Sequence, residues 1–241
     1  MAEHARDANA YIPMVSEEHA ERIKQWHENA YQVAKAGAAS RQEVKFDYLG
    51  RTIVVPPQVQ PITGVSHLLG KAVLDEVRES DRVLDMGTGS GVNAILAASK
   101  SADVVAVDIN PVAVEAARNN AVLNGVADRI EVRSSDVFSN VDGEFHLIIF
   151  DPPFRWFAPR DLQESATTDE NYRAMTTFFH EASRHLVLNG RMLIFFGTSG
   201  DLAYLKHVID KEGFAAEVVA GQALVRDGWK VEYYTYLLRS R

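Results

Sequence analysis

Two rhythms of apolar and polar residues divide the chain. Up to about residue 62 the apolar positions fall in short, unlike patches. The first, "SEEHAERIKQWHENAYQVAKA" over residues 16–36, has helical period: Ile23, Trp26, His27, Ala30, Tyr31 and Ala34 share a stripe, and Ser16 stands where a cap belongs. The second, "EVKFDYLGRTIVVPP", alternates Val44, Phe46 and Tyr48, turns at Leu49–Gly50 and resumes at Thr52 to Val55, which predicts a hairpin. Prolines 56, 57 and 61 end it and lead into a helix from about 64 to 79.

From Arg82 onward, brief apolar runs alternate with helical stretches. "RVLDM", "DVVAVDI", "RIEVRSS", "FHLIIFD" and "GRMLIFFG" read as strands. Between or after them "VNAILAASK", "PVAVEAARNNAVLNG", "DENYRAMTTFFHEASRHLV" and "GDLAYLKHVIDKEG" read as helices, the third a single long one. Runs apolar on both faces, joined through helices, require a parallel sheet covered on both sides. The last two strands, "AAEVVAGQAL" and "KVEYYTYLLR", have no helix between them and should pair antiparallel. The expected fold is α/β: a doubly wound, mostly parallel seven-stranded Rossmann-like sheet with a C-terminal antiparallel hairpin. Residues 1–62 form a small helix and hairpin appendage, and residues 63–241 form the main domain.

Bulk properties narrow the partners. A chain that is 46% hydrophobic and 24% charged is an ordinary globular protein, and no apolar run reaches membrane-spanning length. The start lacks the basic-then-apolar layout of a secretory signal, so a cytoplasmic protein is the expectation. With no cysteine there is neither a disulfide framework nor a thiolate nucleophile or metal site. A net charge of −8, without runs of Lys or Arg, argues against a broad nucleic-acid surface but leaves room for a local basic rim. Small-molecule or protein substrates are favoured. His67, His146, His180, His185 and His207 show no ligand spacing, so no metal is expected.

In sheets of this kind ligands sit at the carboxyl ends of the strands. The first predicted strand of the sheet ends in "LDMGTGSG", where Asp85 precedes Gly87, Thr88, Gly89 and Gly91 and a helix follows at once. That is either a structural turn or a loop whose backbone lies against a cofactor. The next strand ends at Asp108, about twenty residues on, placed to accept both hydroxyls of a ribose or else to cap the helix begun by Pro111. Ile109 beside it could lie against an adenine face. At the third strand end Asp136 could accept from an adenine amino group, and the Val137 amide could donate to a ring nitrogen. Dinucleotide sites favour G-x-G-x-x-G; here the loop is G-x-G-x-G, and the preceding Asp85 would repel a pyrophosphate. A carboxylate there suits a cationic amino acid tail, such as that of S-adenosylmethionine.

The fourth strand poses the sharpest question. "LIIFDPPFRWF", Leu147 to Phe157, takes a buried strand directly into an acid, two prolines and three aromatics. Together with "VLDMGTGSGVNAILAA" and "VVAVDINPVAVEAARNNAVLNG", the segment "LIIFDPPF" resembles the motifs of class I S-adenosylmethionine-dependent methyltransferases. The resemblance covers about residues 50 to 200. It is nearest to the small-domain group with the protein-release-factor glutamine methyltransferases and several ribosomal RNA guanine methyltransferases.

That resemblance implies S-adenosylmethionine as cofactor, with Asp85, Gly87 and Gly89 at the methionine part, Asp108 at the ribose and Asp136 at the adenine. It also implies that "VPPQVQPIT", with Pro61, closes over the site. Asp151 and the Pro152 carbonyl would accept hydrogen bonds from the NH₂ of a planar acceptor, Pro153 would stiffen the turn, and Phe154 would stack on the acceptor. Asp-Pro-Pro-Phe differs from the Asn-Pro-Pro-Tyr of the glutamine enzymes and looks like the RNA guanine enzymes. Arg155, Trp156, Phe157, Arg160 and Tyr172 stand where an acceptor-specific second wall would form. The expected activity is N-methylation of an amide, amine or nucleobase nitrogen, on a small molecule, a protein glutamine or an RNA base. Beside it stand a small-metabolite methyltransferase of the same fold, a nicotinamide-dependent oxidoreductase and a cofactor-binding protein without turnover.

Overall fold

The computed structural model describes residues 11–36, 42–226 and 228–241. Helix α1 (Glu17–Ala36) precedes the hairpin β1 (Val44–Tyr48) and β2 (Arg51–Val55) and helix α2 (His67–Glu76). Then come β3 (Arg82–Met86), α3 (Val92–Ala97), β4 (Asp103–Asp108), α4 (Pro111–Leu123), β5 (Ile130–Ser134) and β6 (Phe145–Phe150). The chain closes with α5 (Arg173–Ala182), β7 (Leu186–Gly197), α6 (Leu202–Lys211), β8 (Phe214–Arg226) and β9 (Trp229–Ser240).

The seven-stranded sheet has the order β5-β4-β3-β6-β7-β9-β8. Strands β3 to β7 run parallel, and β9 lies antiparallel between β7 and β8. Both faces are covered, which is why the strands read as unbroken apolar runs. Along β6, Leu147 and Ile149 enter the core under α2 and α3, while Phe145, Ile148 and Phe150 enter the core under α5 and α6. After β3 the chain departs toward β4, and after β6 it departs the other way toward β7. The carboxyl ends of these adjacent strands therefore border the crevice where such sheets place ligands.

The hairpin is joined to this domain rather than cored separately. Ile53 and Val55 are buried in the same cluster as α2 and α3. The outer edge of β2 is paired by two asparagines one turn apart, Asn120 on α4 and Asn124 at its C-cap. Asn120 accepts from Val54 N (2.9 Å) and donates to Val54 O (2.7 Å), and Asn124 does the same for Thr52 (3.1 and 2.8 Å). Side-chain amides thus stand in for a neighbouring strand along the edge of β2.

At the opposite end of the sheet from the crevice, the buried Arg191 is fully matched. Its guanidinium donates to Asp81 Oδ2 (2.7 Å), Glu76 Oε2 (3.2 Å) and the His146 carbonyl (3.1 Å).

The long helix expected over "DENYRAMTTFFHEASRHLV" is broken. Asn171 and Tyr172 both have left-handed backbones (φ 55° and 52°), so α5 begins only at Arg173. Asp169 caps it from a distance, accepting from Ala174 N and Met175 N at 3.0 Å each. A separate short turn at Ser183–His185 then leads straight into β7, which starts at Leu186 instead of Gly190.

Candidate functional site

The glycine loop leaves β3 and immediately changes hand, with φ of 64° at Gly87 and 57° at Gly89. A Cβ at either position would find only ordinary contact, 3.8 Å from Phe150 and 3.7 Å from Val59. Backbone conformation, and not crowding, demands glycine there, and the loop stays open on its outer side. Gly91 differs: a Cβ there would press Ala117 of α4 at 3.0 Å, so this glycine also serves the packing of the loop on α4.

Asp85 is buried beneath the loop. Its Oδ2 accepts from the Thr88 hydroxyl (2.5 Å) and from Ala94 N (3.0 Å) in the first turn of α3, while Oδ1 takes no hydrogen bond among the described residues. Thr88 is thereby committed to Asp85. Burial pushes the Asp85 carboxyl up to about 7, the two hydrogen bonds oppose this, and the Asp108 charge adds to it. Asp108 accepts from Gly89 N (2.9 Å) and Asn110 N (2.8 Å), which braces the loop. The helix cap that sequence offered to Asp108 belongs to Asn110, whose side chain accepts from Val112 N at 2.9 Å. Ile109 is 60% exposed, an apolar face beside the Asp108 carboxylate.

The third strand end is arranged differently from its sequence reading. The Asp136 carboxylate is paired with Arg173 (3.1 Å) on the surface. Val137 is buried at φ 50°, and its N–H makes no hydrogen bond among the described residues. In the segment thought to close over the loop, Pro61 is exposed. Its neighbours do the contacting: Val59 faces Gly89, and Asn110 donates to the Gln58 carbonyl at 3.0 Å.

Asp151 follows β6 across the crevice from Asp85, with Pro152 buried and Pro153 half-buried behind it. Its carboxylate takes no hydrogen bond among the described residues. Surrounding protein pushes it up, to about 7, and the Asp85 carboxylate adds to the rise. The side chain is nevertheless exposed toward the crevice, so water tempers that rise. Tyr48, at the end of β1, lies close enough for the Asp151 charge to raise its hydroxyl further than burial alone does. Phe154 packs at a tilt among Phe196 (4.7 Å), Phe195 (5.7 Å) and Tyr233 (6.2 Å).

The following loop folds back on itself. Arg155 N donates to Thr167 O (3.3 Å), and Asp169 N donates to Arg155 O (2.8 Å). Tyr172 was expected to face the acceptor; it is fully buried instead. Its hydroxyl donates to the Phe154 carbonyl (2.5 Å) and accepts from Asp201 N (2.8 Å), a post that holds Phe154 from behind. Arg160 is likewise committed, to Glu164 (2.6 Å) and Glu28 (2.8 Å). Trp156 packs on Tyr11 (5.7 Å) and Phe157 (5.0 Å). Helix α1 pins the loop: His27 Nε2 donates to the buried Glu164 carboxylate at 2.7 Å. Burial opposes the charge on Glu164, but Arg160 and His27 hold its carboxyl below the usual range. Among the described residues no three His, Cys, Asp or Glu side chains are grouped to hold a metal ion.

The sequence profile of the methyltransferase small domain matches residues 63–208, more than half of the chain. The chain belongs to the methyltransferase small domain family. Its crevice occupies the same stretch. A ribosomal protein L11 methyltransferase from Exiguobacterium is 44% identical over 80 residues, 33% of this chain and 26% of that protein. A putative protein N5-glutamine methyltransferase from Methanocaldococcus jannaschii is 42% identical over 106 residues, 44% of this chain and 52% of that one. The matches thus span about half or less of those relatives. Among solved structures, the M. jannaschii tRNA m1G37 methyltransferase superposes with a TM-score of 0.61 over 83% of this chain and 58% of that one, at 19% identity. The ribosomal protein L11 methylase of Lactobacillus delbrueckii gives 0.56 over 78% and 84%, at 22% identity. These two likenesses show the fold.

Sequence reasoning about this family member missed Tyr48, Asn110 and Asn120, while Val59 lies in the segment expected to close over the site. Only Asn110 carried a usable signal, since Asn-Pro at a helix start marks the asparagine as the cap.

Proposed function

We propose that this chain is an S-adenosylmethionine-dependent N-methyltransferase acting on a planar amide, amine or nucleobase nitrogen held at Asp151-Pro152-Pro153-Phe154. The observation that carries the reading is the pair of carboxylates facing across the β3–β6 crevice, Asp85 and Asp151, each raised by its surroundings and each with oxygen to spare. Such a site disfavours a pyrophosphate and fits a cationic ligand.

Asp85 Oδ1 would receive the ammonium of the methionine tail, the backbone at Gly87 and Gly89 would lie against it, and Asp108 would take the ribose hydroxyls. Ile109 and the Val137 amide would border the adenine; Asp136 would join them by giving up Arg173. Bound there, S-adenosylmethionine supplies an electrophilic methyl group on a sulfonium. Asp151 and the Pro152 carbonyl would accept from the acceptor NH₂ and aim its nitrogen along the transfer axis, which supplies much of the rate. Asp151 would also stabilise the growing positive charge on that nitrogen and take its proton afterwards. A carboxyl raised toward neutrality suits that last step.

The named relatives act on a ribosomal protein and, putatively, on protein glutamine, so peptide amides belong in the acceptor screen beside amines and RNA. The test is turnover with methyl-labelled cofactor against these three classes, with NAD reduction in parallel. Methyl transfer to any nitrogen acceptor supports the reading. Hydride transfer would establish an oxidoreductase, and cofactor binding without transfer to any class a binding protein.

A further inference from the structure

Among the described residues, two arginines, Arg191 buried and Arg155 half-buried, are treated in opposite ways. Arg191 is 3% exposed and donates to two carboxylates and a carbonyl. Arg155, next to the Asp-Pro-Pro-Phe turn, makes no side-chain hydrogen bond or ion pair among the described residues. Its Nε is fully buried without a partner. Its contact is a face laid over the Trp26 ring, 5.0 Å from the centroid. Burial works against its charge, and the Tyr233 and Tyr172 hydroxyls act on it from nearby.

Only two other buried side-chain polar atoms among the described residues lack a partner, Ser199 Oγ and Thr235 Oγ1. Both lie beside neighbours of Phe154. Ser199 precedes Gly200, which packs against the Phe154 carbonyl, and Thr235 is in register with Phe195, whose ring meets Phe154. A guanidinium stays charged at any physiological pH; its outer NH groups reach solvent, and the enclosed Nε is left for a partner from outside the chain. A planar fork of N–H donors is matched best by a carboxylate, two parallel hydrogen bonds at a time.

We propose that Arg155 grips a carboxylate of the methyl acceptor, so that the substrate is a small planar amine or amide carrying an acid group. The inference rests on the N-methyltransferase reading and adds what the acceptor must display besides its nitrogen. Small size follows from α1, which lies along this side of the crevice. His19 reaches the Thr198 carbonyl (2.9 Å), Trp26 meets Trp229 (5.5 Å) and His27 holds Glu164. A net charge of −8 further disfavours an RNA partner.

The experiment uses the full chain saturated with S-adenosylhomocysteine, titrated with the 2-, 3- and 4-aminobenzoates and with aniline. At least one aminobenzoate is expected to bind 10-fold or more tightly than aniline. Arg155→Met should abolish that preference, and Arg155→Lys should keep part of it. S-adenosylhomocysteine affinity should be the same in all three proteins. Arg155→Met should also melt no lower than wild type, because it removes an enclosed, unpartnered Nε; a merely structural arginine would show a clear drop. Equal binding of aniline and every aminobenzoate, a preference that survives Arg155→Met, or destabilised Arg155→Met protein would overturn the proposal. Failure of wild type to bind S-adenosylhomocysteine would instead sink the methyltransferase reading, and this inference with it.

Discussion

The two ends of the sheet handle charged side chains in opposite ways. At the amino end, Arg191, Asp81 and Glu76 satisfy one another, and the Asp81 and Arg191 side chains are almost wholly enclosed. At the carboxyl end, Asp85 keeps a free oxygen, Asp151 has no hydrogen bond, and Arg155 has no counter-ion among the described residues. Both ends are built on the same strands, so packing alone does not explain the contrast. Where the chain needs only to fold, its polar groups are used up; where it must hold something else, they are left over.

Breaking the satisfied end should have the largest effect on stability. Arg191→Met strands the buried Asp81 carboxylate and should lower the unfolding free energy by about 3–5 kcal/mol, measured by urea denaturation. In the protein that still folds, affinity for S-adenosylhomocysteine should be unchanged. A loss under 1 kcal/mol would mean that the two ends are not different in kind.

Removing a leftover group should do the reverse. Asp151→Ala is expected to cut methyl transfer by about 10²-fold or more with cofactor affinity unaltered. It should not lower the melting temperature, because the carboxylate is held above its ordinary pKa by protein and by Asp85. Asp151→Asn separates geometry from charge: retained activity favours an amide acceptor, near-complete loss an amine or nucleobase. Full activity in Asp151→Ala would reduce the turn to a strand cap.

A smaller effect is expected from pH. The folded Asp85 carboxyl, near 7, lies above its value of 3.8 in an open chain, so the folded state binds its proton more tightly. Its contribution to stability is therefore present at low pH and lost as pH rises from about 4 to about 7. A cationic ligand favours the ionised form, so S-adenosylmethionine affinity should rise with pH up to about 7, by at most about tenfold per unit, and then level off. A flat profile between pH 5.5 and 7.5 would show that Asp85 does not meet the cation.

The same contrast explains what could be read from sequence. Strand identity, sheet direction and the positions of Asp85, Asp108 and Asp151 follow from local patterns, because apolar runs and strand-end acids carry their meaning within a few residues. The acceptor side does not work that way. The burial of Tyr172 depends on two left-handed residues and on Asp201, 29 positions later. Glu164 is fixed by His27, 137 positions earlier. Asn120 and Asn124 reach β2 across more than sixty residues. No local period encodes such contacts, and "DENYRAM" therefore looked like plain helix. Asp136 is an intermediate case: its place at a strand end was legible, its surface pairing with Arg173 was not.

The central claim is that the β3–β6 crevice holds a nucleoside with a cationic amino acid tail. Calorimetric titration of wild type and Asp108→Ala with S-adenosylhomocysteine and with NAD tests it most directly. The account predicts that wild type binds S-adenosylhomocysteine and not NAD, and that Asp108→Ala weakens the binding by about 1–3 kcal/mol through loss of its hydrogen bonds. NAD binding with no response to S-adenosylhomocysteine, or wild-type affinity in Asp108→Ala, would contradict it.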